Sequence, residues 1–284
     1  MILVKPTSRD PVTFYARKVV DGKIIAGPHV RDACRRHLDD LIKAPKRGFF
    51  FDLQKVERVI GFFRDVLRLN GGKFENQPFN LIDWEAFVVG SLFGWVDENG
   101  LRRFRSAYIE TGKGSGKSPL VAGIGLYGLV ADGEERAEIY AAATKQDQAM
   151  ILYRDAVAMV DQSPALAKVL KKSGRGDQVW NLMYPRSGGF FRPISSEGGQ
   201  SGPRTHISVI DEVHEHKTAH MIDMMKAGFK FRTQPLMVMI TNSGSDKKSP
   251  CGVHHDYGIK VAAQQVMDDE MFVYICALDV GDDP

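Results

Sequence analysis

The pattern of apolar and polar positions changes period partway along the chain. Pro28–Lys43 is dense in charge of both signs, and its proline suits a first helical turn, which predicts a helix. Leu53–Leu69 places Val56, Val59, Ile60, Phe63, Val66 and Leu67 on one side of a second helix, which Asn70-Gly71-Gly72 ends. Asp83 is placed to cap a third helix through Phe93, burying Trp84, Phe87, Val88 and Leu92. Residues 1–27 carry turn signals at Lys5-Pro6-Thr7 and Asp21-Gly22 and read as a weakly structured lead-in.

Beyond residue 105 short apolar runs alternate with helical stretches. Strands are expected at 107–109, 137–143, 190–194, 207–211, 236–241 and 271–278, and helices at 120–131, 146–160, 164–172, 218–229 and 255–267. That alternation predicts an α/β fold with a mostly parallel central sheet flanked by helices. The expected division is an N-terminal helical appendage over residues 1–75 and a core over 76–284.

Composition narrows the picture a little. A net charge of +3 gives no argument for nucleic-acid binding from the total, so any such argument rests on local clusters. Those clusters are Arg102/Arg103/Arg105, Lys168/Lys171/Lys172/Arg175, Lys226/Lys230/Arg232 and Lys247/Lys248; each is most often a solvated face. Cys34, Cys251 and Cys276 are far apart and lack zinc or disulfide-framework spacing. With no signal-peptide pattern and no apolar run long enough to span a bilayer, a soluble cytoplasmic protein without membrane partners is expected.

The candidate chemistry centres on Arg105–Leu120, RSAYIETGKGSGKSPL. A short strand opens into a glycine-rich loop that ends in Lys117-Ser118, and an apolar helix comes next, which is the context of a phosphate loop. Backbone N–H groups of Thr111, Gly112, Lys113, Gly114, Ser115 and Gly116 would cradle phosphates. Lys117 would reach the β/γ-phosphates and the Ser118 hydroxyl would ligate Mg²⁺. Thr111 stands where the motif has its first glycine, so Gly112 is expected to supply the positive φ.

The second half of the site is HISVIDEVHEH. Its strand delivers Asp211, a carboxylate for Mg²⁺ either directly or through a bound water, and Glu212, a general base or orienting group for water in line with the γ-phosphate. At the next strand end, Thr241-Asn242 reads either as a sensor of the γ-phosphate or as an ordinary turn. Upstream, Gln77 and Phe79 are candidates to read and cover an adenine, while Trp84 and Phe87 read at least as well as core. Thr144-Lys145-Gln146-Asp147 mimics a guanine-reading motif, but it precedes the Asp-Glu strand, and ATP is favoured. His214, His216 and His220 lack a zinc-enzyme pattern and read as a polar helix start.

In PFNLIDWEAFVVGSLFGW, AYIETGKGSGKS, EIYAAATKQDQA, ISVIDEVHEH and MVMITNSG, in that order, the chain resembles the ATPase domain of the large terminase subunit of tailed bacteriophages. The resemblance implies a RecA-like, additional-strand P-loop fold and an ATP-hydrolysing, Mg²⁺-dependent motor that translocates double-stranded DNA into a capsid. It also implies a homo-oligomeric ring, usually a pentamer, docked on the portal protein in the host cytoplasm and served by a small terminase subunit. Lys113 matches the family's basic residue four before the loop lysine, and Thr241-Asn242 its coupling motif. Glu85 stands where the family often has glutamine in its adenine motif. Arg204, expected at the sheet edge opposite its own loop, is a candidate to act in a neighbouring subunit's site. The family's lid and nuclease lie beyond this chain, so no cleavage is expected of it. The rival readings are another P-loop enzyme (a helicase-like translocase or a nucleotide kinase) and a non-catalytic DNA- or portal-binding module.

Overall fold

The computed structural model describes residues 10–195 and 202–282, and two compact units are distinguished. The first is drawn from Met1–Gly61, Leu81–Tyr108 and His255–Pro284, the second from Phe62–Asn80 and Ile109–His254. Both cut across the contiguous 1–75 and 76–284 division expected from the sequence.

In the first unit the chain begins with α1 (Pro11–Val20), where a weakly structured lead-in was expected. The reason is local and strong. Asp10 Oδ1 accepts from Thr13 N at 3.0 Å, Pro11 fits the first turn, and Val12, Tyr15, Ala16 and Val19 form one buried stripe. The Lys5-Pro6-Thr7 turn signal lies outside the described residues. Next come α2 (Pro28–Lys43), β1 (Phe49–Phe51) and α3 (Leu53–Val66), which contributes residues to both units. α4 (Asp83–Gly94) leads into β2 (Trp95–Asp97), which pairs antiparallel with β1.

Asp83 does not cap α4. The cap position is Ile82, whose N–H donates to Glu85 Oε2 at 3.0 Å, so the glutamate side chain satisfies an orphan amide from inside the first turn. The polar interior of this unit is a buried ionic cluster. The Arg103 side chain, 0% exposed, lies 2.9 Å from Asp40 and 2.5 Å from Asp269. Trp95 Nε1–H donates to His37 Nδ1 at 3.1 Å, and burial holds the imidazole well below its ordinary range, near 3.

β3 (Ser106–Glu110) begins in the first unit and ends in the second, where it leads into the glycine-rich loop and α5 (Lys117–Val130). Next in the chain are β4 (Glu138–Ala143), α6 (Gln146–Gln162), α7 (Pro164–Val169), β5 (Lys171–Ser173), β6 (Asn181–Tyr184) and β7 (Gly189–Ser195). β8 (Thr205–Ile210), α8 (His220–Ala227), β9 (Leu236–Thr241) and the start of α9 (Pro250–Ala262) complete this unit. The rest of α9 and β10 (Met271–Ile275) return to the first unit, where β10 neighbours the start of β3.

The sheet order in the second unit is β3-β9-β8-β4-β7-β6-β5. β4 pairs parallel with both β7 and β8, and β8 pairs parallel with β9. β5 and β6 extend the edge as antiparallel strands. The helix expected over 164–172 therefore ends at Val169, because Lys171 and Lys172 pair with Met183 and Leu182 instead.

α5 is wrapped on several sides, and its glycines are why it fits. A Cβ on Gly123 would come within 2.5 Å of the Phe63 ring, one on Gly125 within 2.7 Å of Phe191, and one on Gly128 within 2.4 Å of Ile207. Three close approaches let one helix seat against α3, β7 and β8.

Candidate functional site

In an open parallel sheet the groups that meet a ligand gather at the carboxyl ends of the strands. Here β3, β8 and β9 end at Glu110, Ile210 and Thr241, and the candidate residues come directly after each end. Thr111 N donates to Thr241 O at 3.2 Å, which joins the start of the loop to the end of β9.

The loop's shape differs from expectation in one respect. Positive φ falls at Gly114 (79°) and Gly116 (89°), and not at Gly112. Thr111 has a compensating use: its hydroxyl lies 2.6 Å from Ser115 Oγ and ties the two sides of the loop together. Gly112 and Gly114 face open space, Lys113 is exposed and Ser118 is half-buried at the head of α5.

Lys117 is 8% exposed, and its Nζ donates to Thr111 O at 2.8 Å, Gly112 O at 2.9 Å and Asn242 Oδ1 at 3.0 Å. Asn242 in turn donates from Nδ2 to Glu212 Oε2 at 3.3 Å. One amide thus spans the loop lysine and the acid just past β8.

Glu212 has φ 47° and ψ 54°, left-handed backbone that a non-glycine residue adopts at a cost of roughly 1–3 kcal/mol. Its N–H donates to Asp211 Oδ1 at 2.8 Å. Burial first, and then the neighbouring Glu212 charge, push the Asp211 carboxyl up to about 6.

The donor set fits a nucleotide with Mg²⁺. Ser118 and Asp211 are hard oxygen donors, and among the described residues no group of three or more His, Cys, Asp or Glu side chains is arranged to hold a metal. Mg²⁺ suits such a sparse protein site because it takes its remaining ligands from water and phosphate.

Two groups join the site in ways the sequence does not give: Glu110 is not singled out there, and His214 is read only as part of a polar helix start. Glu110 is 2% exposed at the end of β3 and accepts from Ser243 Oγ at 2.7 Å. His214 lies with Nδ1 3.3 Å from Glu212 Oε2 and 3.1 Å from Thr241 Oγ1. The strand-end position of Glu110 is a usable hint; the His214 contact depends on a turn that no sequence pattern specifies.

The base-reading candidates come apart. Phe79 is 3% exposed and packs its ring against Phe63 at 5.2 Å, so it is a core ring and offers no face to an adenine. Gln77 is exposed and donates from Nε2 to Lys73 O at 2.7 Å. Glu85 is buried and satisfies its own helix end. Arg204 precedes β8, at the strand end opposite Asp211, exposed with its guanidinium 5.4 Å above the Phe231 ring. Its carbonyl accepts from Arg232 Nε at 2.6 Å.

A parallel sheet with a glycine-rich loop after one strand and an Asp-Glu pair after another defines a P-loop α/β protein of the RecA-like type. Within that class, the chain belongs to the family described as terminase large subunit, ATPase domain, whose model matches residues 83–260. It is similar to Protein YmfN of Escherichia coli (strain K12), 32% identical over 123 residues, or 42% of this chain and 27% of the relative. The large terminase subunit of Enterobacteria phage HK97 is 22% identical over 212 residues, covering 73% of this chain and 40% of the relative. The crystal structure of the HK97 bacteriophage large terminase shares the fold, with a TM-score of 0.66 at 21% identity, covering 78% of this chain and 43% of that one. The chain therefore spans less than half the length of each of these relatives.

Proposed function

We propose that this chain is an ATP-hydrolysing motor domain that translocates double-stranded DNA into a phage capsid. The observation that carries the reading is the Asn242 bridge, which accepts from Lys117 Nζ at 3.0 Å and donates to Glu212 Oε2 at 3.3 Å. A group that touches both the phosphate-binding cation and the acid beside it is placed to make the position of one depend on the occupancy of the other.

In this reading the amides of residues 111–116 and the head of α5 hold the phosphates. Lys117 leaves its two loop carbonyls for the β/γ-phosphate oxygens, and Lys113 approaches from the exposed side of the loop. Ser118 and Asp211 would hold Mg²⁺, which would supply charge neutralisation for the phosphates. Glu212 accepts the proton of the attacking water. Thr241 and Asn242 carry the change in occupancy to the rest of the unit. Gln77 remains the exposed candidate for the adenine edge, and the face of the base is covered by some group other than Phe79.

Arg204, at the far end of β8, acts on a neighbouring subunit's nucleotide within a homo-oligomeric ring, a pentamer on the portal protein. The small terminase subunit delivers the DNA in the host cytoplasm. Among the described residues no helix is long and apolar enough to cross a membrane. DNA contacts come from dispersed basic surface segments, of which the edge-strand lysines Lys171 and Lys172 with Arg175 form one candidate; Lys172 is held by Asp161 on its own surface.

The test is hydrolysis of ATP with and without duplex DNA, monitoring the product. Free phosphate, released faster with DNA and losing that stimulation between roughly 50 and 200 mM salt, supports the motor. A phosphorylated acceptor would make the protein a kinase, and binding without turnover a non-catalytic module.

A further inference from the structure

The left-handed backbone at Glu212 turns its side chain away from the path an extended strand would give it, so something else must fix where the carboxylate points. Among the described residues one donor and one further nitrogen meet it, both at the same oxygen. Asn242 Nδ2 donates to Oε2 at 3.3 Å and His214 Nδ1 lies 3.3 Å from Oε2, whereas among the described residues no hydrogen bond engages Oε1.

The tautomer of His214 is set by Thr241. That hydroxyl has one proton, and it goes to Asn242 O at 2.8 Å. Thr241 Oγ1 must therefore accept from both His214 N and His214 Nδ1, each at 3.1 Å. On that assignment Nδ1 carries a hydrogen directed at Thr241 Oγ1, and the same nitrogen lies 3.3 Å from Glu212 Oε2.

The turn that holds the ring is itself pinned. Val213 is fully buried, Glu215 N donates to Glu212 O at 2.8 Å, and His216, 3% exposed, bonds through Nε2 to Asp211 O at 3.2 Å. Gly244 leaves room beside it, since a Cβ there would lie 3.4 Å from the Cβ of His214 and 3.1 Å from Cys251 Sγ.

We propose that His214 is a positioning residue for the general base: its Nδ1–H and the Asn242 amide clamp Oε2 of Glu212 and leave Oε1 for the attacking water. The inference rests on the reading of Glu212 as that base. A carboxylate held at one oxygen loses less orientational freedom on the way to the transition state, and misplacement of a catalytic group by about 1 Å is worth roughly a hundredfold. Asparagine at position 214 can present an amide N–H near the site of Nδ1, whereas glutamine presents its N–H near Nε2, which gives the test its discrimination.

The experiment measures kcat, KM for ATP, equilibrium nucleotide binding and Tm for His214→Ala, His214→Asn, His214→Gln, Glu212→Gln and the double variant His214→Ala/Glu212→Gln. His214→Ala should lose about tenfold to a hundredfold in kcat with KM and binding little changed. His214→Asn should recover most of that loss and His214→Gln little of it. The double variant should be no slower than Glu212→Gln alone, because a clamp has no use without the base. Wild-type kcat in His214→Ala with an inactive Glu212→Gln would overturn the clamp alone. Equal recovery by asparagine and glutamine would do so as well, as would a loss in His214→Ala confined to Tm. Full turnover in Glu212→Gln would remove the base itself.

Discussion

Lys117 Nζ stands 3.0 Å from Oδ1 of Asn242, so the phosphate-loop cation and the residue after β9 form one hydrogen-bonded pair. The same pair joins two strand ends that are not consecutive in the chain. Lys117→Ala should abolish ATP hydrolysis, since it deletes the cation proposed to meet the β/γ-phosphates. Asn242→Ala should bind ATP nearly as well as the parent and turn over about tenfold slower or worse, having lost a contact on each side. Phosphate release and equilibrium binding of a fluorescent ATP analogue measure the two effects separately.

Glu212→Gln keeps the size of the side chain and an oxygen for Asn242, but removes the proposed proton acceptor. Nucleotide binding should stay near normal while turnover falls about a hundredfold or more, the scale of a lost general base. Simultaneous loss of binding and turnover would show that the residue holds the nucleotide instead.

Gly123→Ala tests the packing of the helix after the loop. The new Cβ would sit 2.5 Å from Phe63 Cε1 and 2.9 Å from Leu67 Cδ1, and an aromatic ring and a leucine cannot both withdraw in a filled core. Overpacking of this kind costs about 1–3 kcal/mol. Urea denaturation should show a lower midpoint with an unchanged slope; an unchanged midpoint would mean that α3 and α5 slide apart freely.

Glu85 gives a prediction in pH. Burial pushes its carboxyl up to about 7 from an ordinary 4.5, against a smaller opposing pull from the Ile82 N–H. Below the unfolded value both states hold the proton and stability is not reduced. As pH rises from about 4.5 towards 7 the unfolded chain ionises while the folded one resists, so stability is lost through that window. Glu85→Gln retains an acceptor for Ile82 N–H and carries no charge. It should raise Tm at pH 8 and leave it nearly unchanged at pH 4; an equal shift at both would put the cause in packing.

The order of residues along the chain is enough to specify the strands that carry chemistry and the polar groups just past their ends. An apolar run buried on both faces reads plainly, so 236–241 is legible to the residue, and Lys117, Asp211, Glu212, Thr241 and Asn242 are placed by their positions after such runs. α2 is equally legible, because its periodicity and its proline agree. α1 is legible in principle, yet the turn signals at its flanks outweigh its own short stripe when the sequence is read alone. The remaining features exist only in the folded molecule, because they depend on the group across a contact. Phe79 turns inward because Phe63 waits for it. Positive φ goes to Gly114 and Gly116 because a loop that folds over Lys117 needs its turns there, whatever stands at Thr111. The left-handed backbone of Glu212, and the meeting of its carboxylate with His214 and Asn242, arise where two strand ends converge, and local propensity carries no trace of such an encounter.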